Sequence, residues 1–154
     1  MKKNLKNILT FLACLLPWFF SSLFQGDSSF YQELYRPKFA PPGILFAIIW
    51  PILYILIAIT IYKVVTNYNF KNNKDYYYSL IINFIFNQSF TIFFFALKSP
   101  FLGMVSTIGT LISGIFLYLC TKERIDKLSY LLIPYLLWGL FASILSLSIY
   151  FMNL

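Results

Sequence analysis

The sequence predicts an all-α integral membrane protein, a single transmembrane domain over residues 1–154 built as a bundle of five transmembrane helices. Of the 154 residues, 60% are hydrophobic and 11% are charged, and the mean hydropathy is +0.75. Soluble domains are about 45–50% apolar and about 25% charged, and disordered chains combine low hydrophobicity with high charge. The composition therefore excludes both of these classes.

Five uncharged stretches reach the roughly 20 residues that a helix needs to cross a bilayer. They predict helices over about residues 7–24, 43–62, 76–97, 100–120 and 128–151. Every Lys, Arg, Asp and Glu lies outside these limits. A helix satisfies its own backbone amides, as the interior of lipid requires, and no alternation typical of a membrane β-barrel competes with this interpretation.

The first stretch has features of both a signal peptide and a transmembrane helix. Lys2, Lys3 and Lys6 precede an apolar run, as in a signal peptide. The run continues to Phe24 without a small-residue cleavage site, so we expect the segment to remain as a helix. Pro17 has no backbone N–H and should kink this helix locally.

The distribution of basic residues predicts the orientation of the bundle. With five spans, one side of the membrane carries nine Lys and Arg residues, whereas the other carries only Arg36, Lys38 and Lys98. Basic residues accumulate on the cytoplasmic side. We therefore expect the N-terminus inside, the C-terminus outside and residues 25–42 as an outer loop. An apolar helical bundle is typical of the bacterial cytoplasmic membrane.

Several functions are disfavoured by what the spans lack. The chain has no histidine, and no Asp, Glu, Lys or Arg lies within a span, so the charged relays of energised transporters are missing. No conventional catalytic constellation, metal site or cofactor is expected. Cys14 and Cys120 lie far apart and are interpreted as small buried hydrophobes. The basic residues are scattered between apolar runs, so we expect a lipid bilayer and no nucleic acid as a partner.

Aromatic and amide side chains on the second and third helices predict an internal pocket. Phe46, Trp50 and Tyr54 recur every four residues and form one stripe. Asn83 and Asn87 share one face of the third helix, and an amide in hydrocarbon is costly unless it faces another helix or a cavity. Contacts between helices explain the amides equally well. The functional interpretation is a pocket for a flat apolar molecule.

The outer loop supplies a candidate rim for this pocket. Pro41 and Pro42 lie where the loop enters the second helix, a position at which proline is tolerated. Arg36 and Lys38 belong to the same loop. They are either solvated loop charges or a cationic rim for a ligand with carboxylates at one end.

The fourth helix carries small residues at spacings of three and four, which lets helix backbones approach closely. These residues are Gly103, Ser106, Thr107, Thr110, Ser113 and Gly114. They predict a packing face, either within the bundle or between subunits.

Three motifs resemble the TspO/MBR family, which includes bacterial tryptophan-rich sensory proteins and the mitochondrial translocator protein, or peripheral benzodiazepine receptor. They are Pro37-x-x-x-Pro41-Pro42-x-x-x-Phe46-x-x-x-Trp50-x-x-Leu53-Tyr54, Asn87-x-x-Phe90-Thr91-x-x-Phe94-Phe95 and Pro134-Tyr135-x-x-Trp138-x-x-Phe141-Ala142. The closing Asn153 also fits. Phe30 and Phe90 stand where the family has Trp, and Ser146 where it usually has Asn. The match extends from about Tyr31 to Asn153.

The resemblance implies a five-helix bundle, commonly a homodimer, with a pocket under the first loop. Such pockets bind porphyrins and benzodiazepine-type or isoquinoline ligands. Carried over by position, the ligand-binding residues would be Pro41, Pro42, Phe46, Trp50, Tyr54, Asn83, Asn87, Phe90, Phe94, Trp138 and Ala142. No metal is implied, and a porphyrin would be a ligand or a substrate.

Three functions remain open from the sequence. The first is a membrane receptor or sensor for porphyrin-type and other flat apolar ligands. The second is a light-dependent porphyrin-degrading enzyme, in which Trp50 and Trp138 would carry the photochemistry. The third is a facilitator that passes such a ligand across the bilayer.

Overall fold

The protein is an all-α bundle in a computed structural model, which describes residues 2–24 and 29–154. No strand occurs in these two ranges. The elements, in chain order, are α1 (Lys2–Leu15) continued by a 3-10 segment (Leu16–Phe24), α2 (Ser29–Glu33), α3 (Gly43–Asn67), α4 (Lys74–Thr91) continued by a π-helical turn (Ile92–Ala96), α5 (Pro100–Ser129), a 3-10 turn (Tyr130–Leu132) and α6 (Ile133–Met152).

The predicted fold class, a five-helix membrane bundle, is confirmed. The first span, α3 and α4 with its π turn are each long and apolar enough to cross a bilayer, and so is the continuous α5–α6 stretch. Along α3, Ile48, Ile52 and Ile55 are exposed, whereas Leu53 and Ile57 are buried. α3 therefore has one apolar face on the outside of the bundle, as expected for contact with lipid, and another that packs inside it.

The first span changes its winding at the position where the sequence predicts a kink. The α-helix ends at Leu15, and the nine residues from Leu16 to Phe24 are wound as a 3-10 helix. Pro17 lies at the start of this segment and has no N–H for an α-helical hydrogen bond. Runs of 3-10 helix longer than about four residues are uncommon, so other contacts must stabilise this one.

Several predicted element boundaries differ from the structure. The helix predicted over 43–62 continues to Asn67, and the helix predicted over 100–120 continues to Ser129. The stretch 121–127, expected as a connection, is thus helical, with a break at Ile125 (φ −138°, ψ 61°). Charged residues end a membrane span but do not end a helix, which continues into the polar region outside.

The outer loop predicted over 25–42 contains one short helix, α2. Residues 25–28 of that prediction lie outside the described residues. The remainder of the loop leads to Pro42, after which α3 begins.

The small-residue face of α5 packs inside the bundle. A Cβ atom on Gly103 would lie 2.6 Å from Cδ2 of Phe94, and one on Gly109 would overlap the ring of Phe86. Gly114 faces Leu136 and Tyr135 of the α6 region in the same way. The small residues therefore let α5 approach its neighbours within one chain.

Arg124 joins three segments at one end of the bundle. Its Nη2 atom lies 2.7 Å from Oδ1 of Asp75, its Nε atom donates to Oδ1 of Asn73, and its Nη1 atom donates to the carbonyl of Cys120. The hydroxyl of Tyr68 donates to the Arg124 carbonyl at 2.8 Å. This polar network fixes the α3–α4 connection on α5, at the end opposite the outer loop.

Candidate ligand-binding cavity

A cavity of about 880 Å³ lies between the helices in the half of the bundle nearest the outer loop. Cavities that bury small-molecule ligands measure about 300–1,000 Å³. Of the residues predicted for the site, the wall includes Arg36, Pro42, Phe46, Trp50, Tyr54, Asn87, Phe90, Phe94 and Ala142. The structure therefore brings together residues from the outer loop, α3, α4 and α6.

The aromatic stripe of α3 forms one side of this cavity. The ring of Trp50 lies 5.5 Å from that of Tyr54, and Phe46 lies one turn nearer the outer loop. From α4 and its π turn, Phe90 and Phe94 also line the cavity and are stacked at 5.3 Å, with an angle of 14° between their planes. The π turn that follows α4 places Phe94 on the wall. The two aromatic surfaces leave a space suited to a flat apolar ring system.

A chain of buried hydrogen bonds supports the polar part of the wall. The hydroxyl of Tyr54 donates to Oδ1 of Asn87, and Nδ2 of Asn87 donates to the hydroxyl of Tyr135. That hydroxyl in turn donates to Oδ1 of Asn83, whose Nδ2 donates to the carbonyl of Thr110. The Asn83 amide is thus hydrogen-bonded to other protein groups, whereas Asn87 also lies on the cavity wall.

Gln88 is a buried polar residue that the sequence analysis missed. Its Oε1 atom accepts from the backbone N–H of Ser21, and its Nε2 atom donates to the carbonyl of Trp18 and to Oδ1 of Asn87. An amide inside an uncharged span is the signal that drew attention to Asn83 and Asn87, and it also applies to Gln88. Trp18 and Ser21 belong to the cavity wall and were likewise not predicted.

Hydroxyl and aliphatic groups that were not predicted complete the wall on the α5–α6 side. Thr107 and Ser146 line the cavity and share a hydrogen bond of 2.5 Å. Leu145 and Ile149 lie beside Ser146 on α6. The wall here is therefore lined by small and aliphatic groups.

The outer loop closes the cavity with an aromatic residue and a cation. The hydroxyl of Tyr31 donates to the carbonyl of Pro41 at 3.1 Å, and the guanidinium of Arg36 lies 4.9 Å from the centre of the Tyr31 ring. Burial raises the pKa of Tyr31, and the nearby Arg36 opposes that shift, so the phenol keeps its proton. Within the described ranges, Arg124 is the cation that forms ion pairs, with Asp75 and Glu123, whereas Arg36 packs on Tyr31.

Four residues predicted for the site lie away from the cavity wall. Pro41 is buried in the loop, where its carbonyl binds Tyr31, and Lys38 is exposed to solvent. Asn83 is fully buried, one turn below Asn87. Trp138 contacts Phe46, with 5.6 Å between the two ring centres, but is not itself part of the wall. Helical spacing placed Asn83 on the same face as Asn87 but could not show how deeply it is buried.

The chemistry available in the cavity is that of binding. No group of three or more His, Cys, Asp or Glu side chains that could hold a metal ion occurs in the part of the chain that the structure describes. The wall offers aromatic rings for stacking, hydroxyl and amide groups for a few hydrogen bonds, and the Arg36 cation near the loop. This combination is typical of a site for an amphipathic small molecule.

Comparisons with known proteins agree with the motifs. The family model described as TspO/MBR matches residues 8–152. The tryptophan-rich protein TspO of Bacillus cereus is 37% identical over 153 residues, 99% of each chain. The tryptophan-rich protein TspO of Archaeoglobus fulgidus is 34% identical over 154 residues, 97% of each chain. An uncharacterized membrane protein of Bacillus subtilis, YtaB, is 36% identical over 86% of this chain and 85% of its own.

Proposed function

The chain belongs to the TspO/MBR family, and on that premise we propose that it is a membrane receptor for porphyrin-type ligands, which bind in the central cavity. Benzodiazepine-like and isoquinoline-like molecules would use the same space. The observation that supports the proposal is a cavity of about 880 Å³ between two aromatic surfaces, with a cation at the loop. Stacking and apolar burial would supply most of the affinity.

The wall suggests how a tetrapyrrole would be oriented. Its flat ring system would lie between Trp50 and the stacked pair Phe90 and Phe94. Its carboxylates would point to the loop, where Arg36 can form charge-assisted hydrogen bonds. Asn87 would supply the polar contact deeper in the bundle, because only one of its two amide hydrogens has an acceptor among the described groups.

A fluorescence titration tests the proposal. Protoporphyrin IX added to the purified protein in lipid nanodiscs should quench tryptophan emission to saturation, because Trp50 and Trp18 both lie on the wall. Trp50→Phe should reduce the quenching and weaken binding several-fold. Trp138→Phe is the matched control, since Trp138 does not line the cavity. A linear, non-saturable loss of emission would contradict the receptor proposal.

A second candidate function, light-dependent porphyrin breakdown, is favoured by the position of one indole. Trp50 lies on the wall, with its ring 5.5 Å from that of Tyr54, so it would touch a bound porphyrin and act as electron donor or oxidation target. Illumination of the complex in air should then bleach the porphyrin faster than illumination of the Trp50→Phe complex at equal occupancy. Equal bleaching rates would reject this function and leave the receptor intact.

The membrane setting forms part of the same proposal. The protein would lie in the bacterial cytoplasmic membrane as a homodimer, with its N-terminus inside and its C-terminus outside. A cysteine introduced at exposed Lys38, with Cys14 and Cys120 replaced by Ala, should react with an impermeant maleimide in intact cells. A cysteine at Lys122, which is also exposed, should react only after the cells are opened.

A further inference from the structure

One glutamine side chain binds both ends of a single helical turn in another span. In a 3-10 helix, the N–H of residue i+3 bonds to the carbonyl of residue i, so the carbonyl of Trp18 and the N–H of Ser21 are the two ends of one turn. Gln88 accepts from that N–H at 2.8 Å and donates to that carbonyl at 3.1 Å. The side chain is 5% exposed. The contact thus lies inside the bundle.

This contact holds the turn on α4 by binding both of its backbone groups. In an α-helix, the Ser21 N–H would bond to the Pro17 carbonyl, and the Trp18 carbonyl would accept from Ser22. In a 3-10 helix the two groups would bond to each other. Gln88 therefore binds groups that either winding would use, and it anchors the turn to α4. The 3-10 winding rises about 2.0 Å per residue against about 1.5 Å in an α-helix. A change of winding would therefore shift every side chain between Leu16 and Phe24.

The segment that Gln88 holds forms one wall of the cavity. Trp18, Ser21 and neighbouring residues line the cavity, and the ring of Trp18 lies 5.6 Å from that of Tyr54. The second amide hydrogen of Gln88 goes to Oδ1 of Asn87, the atom that also accepts from Tyr54. Gln88 therefore connects the first span to the polar wall groups of α3 and α4.

We propose that Gln88 is a positioning residue, which holds the Trp18–Ser21 turn of the first span on α4 and thereby maintains the shape of the cavity. The effect of Gln88 on affinity rests on the proposed ligand function, but its effect on the first span does not. Gln88 would not itself touch the ligand, because it is absent from the cavity wall and its amide hydrogens are both used on protein acceptors.

Amide exchange in the ligand-free protein tests the contact directly. With ¹⁵N-serine labelling in nanodiscs, Gln88→Met, which keeps the length but not the amide, should speed exchange of the Ser21 N–H at least about tenfold. The control is Ser89→Ala on the same helix, which removes hydrogen bonds to the Phe86 carbonyl of α4 and to Ser106 of α5 but none to the first span. It should leave Ser21 exchange unchanged. Unchanged exchange in Gln88→Met, or an equal increase in both variants, would overturn the proposal.

Two further measurements separate this proposal from a general loss of stability. In the unmodified protein, the Gln88 side-chain amide protons should exchange slowly and show nuclear Overhauser contacts to Trp18. Fast exchange without such contacts would overturn the proposal, even if Gln88→Met did not fold. Protoporphyrin IX should bind Gln88→Met about five- to tenfold more weakly than Ser89→Ala. Equal affinity would reject the positioning role. If the unmodified protein does not bind protoporphyrin IX, only the receptor proposal fails. The exchange rate of the Ser21 N–H still tests the proposal about Gln88.

Discussion

The side chain of Asn153 and the backbone of Tyr35 form a reciprocal pair of hydrogen bonds. The Tyr35 N–H donates to Oδ1 of Asn153, and Nδ2 of Asn153 donates to the Tyr35 carbonyl, both at 2.9 Å. A third bond, from Nδ2 to the Ile149 carbonyl, holds the amide on the end of α6. The outer loop is therefore attached to α6 beside Arg36, which lines the cavity.

The first prediction concerns this attachment. Asn153→Ala should free the loop and raise the dissociation rate of protoporphyrin IX about three- to tenfold, because each hydrogen bond contributes about 0.5–1.5 kcal/mol. Stopped-flow displacement measures the rate. The control is Asn67→Ala, which removes an exposed amide bonded only within its own helix end and the adjacent Thr66. Equal dissociation rates in both variants would show that the loop does not retain the ligand.

The second prediction concerns the close approach of α5 to the cavity wall. Gly103→Ala would place a Cβ atom 2.6 Å from the Phe94 ring, so the ring must move toward the cavity. We expect weaker porphyrin binding, by about tenfold, and a loss of about 1–3 kcal/mol of stability from overpacking. Gly139→Ala is the control, because its Cβ would meet Leu111 at 3.7 Å, an ordinary contact. Similar affinities for the two variants would contradict the prediction.

The third prediction concerns the polar network at the opposite end. Arg124→Gln should lower the thermal stability markedly, by about 2–4 kcal/mol, because it leaves partly buried groups without their charge-assisted partner. Lys122→Gln removes the same charge from an exposed neighbour and should change stability by less than about 0.5 kcal/mol. Melting of both variants in one detergent, followed by helical circular dichroism, gives the comparison. Ligand affinity at a temperature where both are folded should stay unchanged.

The sequence predicts the fold better than it predicts which residues reach the cavity wall. The length of each uncharged stretch of sequence determines which segments can cross the bilayer, so the five helices could be found without a structure. Spacing of four residues placed Trp50 and Asn87 on faces that do meet in one cavity. It could not show that Asn83 is bonded to Thr110 and Tyr135, or that Trp138 contacts Phe46 without lining the cavity.

The role of Gln88 was out of reach for a related reason. Its partners are backbone atoms of Trp18 and Ser21, about seventy positions earlier in the chain. A backbone donor or acceptor has no signature in the sequence, since every residue except proline carries both. Only Pro17, which disturbs the regular helical bonding, indicated that this stretch needed support from elsewhere.

The fourth prediction distinguishes the two candidate rim cations. Arg36 lies on the cavity wall and Lys38 does not, so Arg36→Gln should weaken protoporphyrin IX binding, whereas Lys38→Gln, with the same loss of charge, should not. Arg36 is largely exposed, and exposed ion pairs contribute about 0.2–1 kcal/mol. We therefore expect at most about a fivefold effect, which should decrease as salt is added.

Protoporphyrin IX dimethyl ester separates the charge contact from loop packing. The ester has the same ring system without the carboxylates, so it should bind the unmodified protein and Arg36→Gln with equal affinity. Arg36 also packs against Tyr31, and a loss of that contact would weaken the acid and the ester alike. A fivefold loss for the acid alone, measured by quenching in the same nanodiscs, assigns the carboxylates to Arg36. An equal loss for both ligands would limit the role of Arg36 to holding the outer loop.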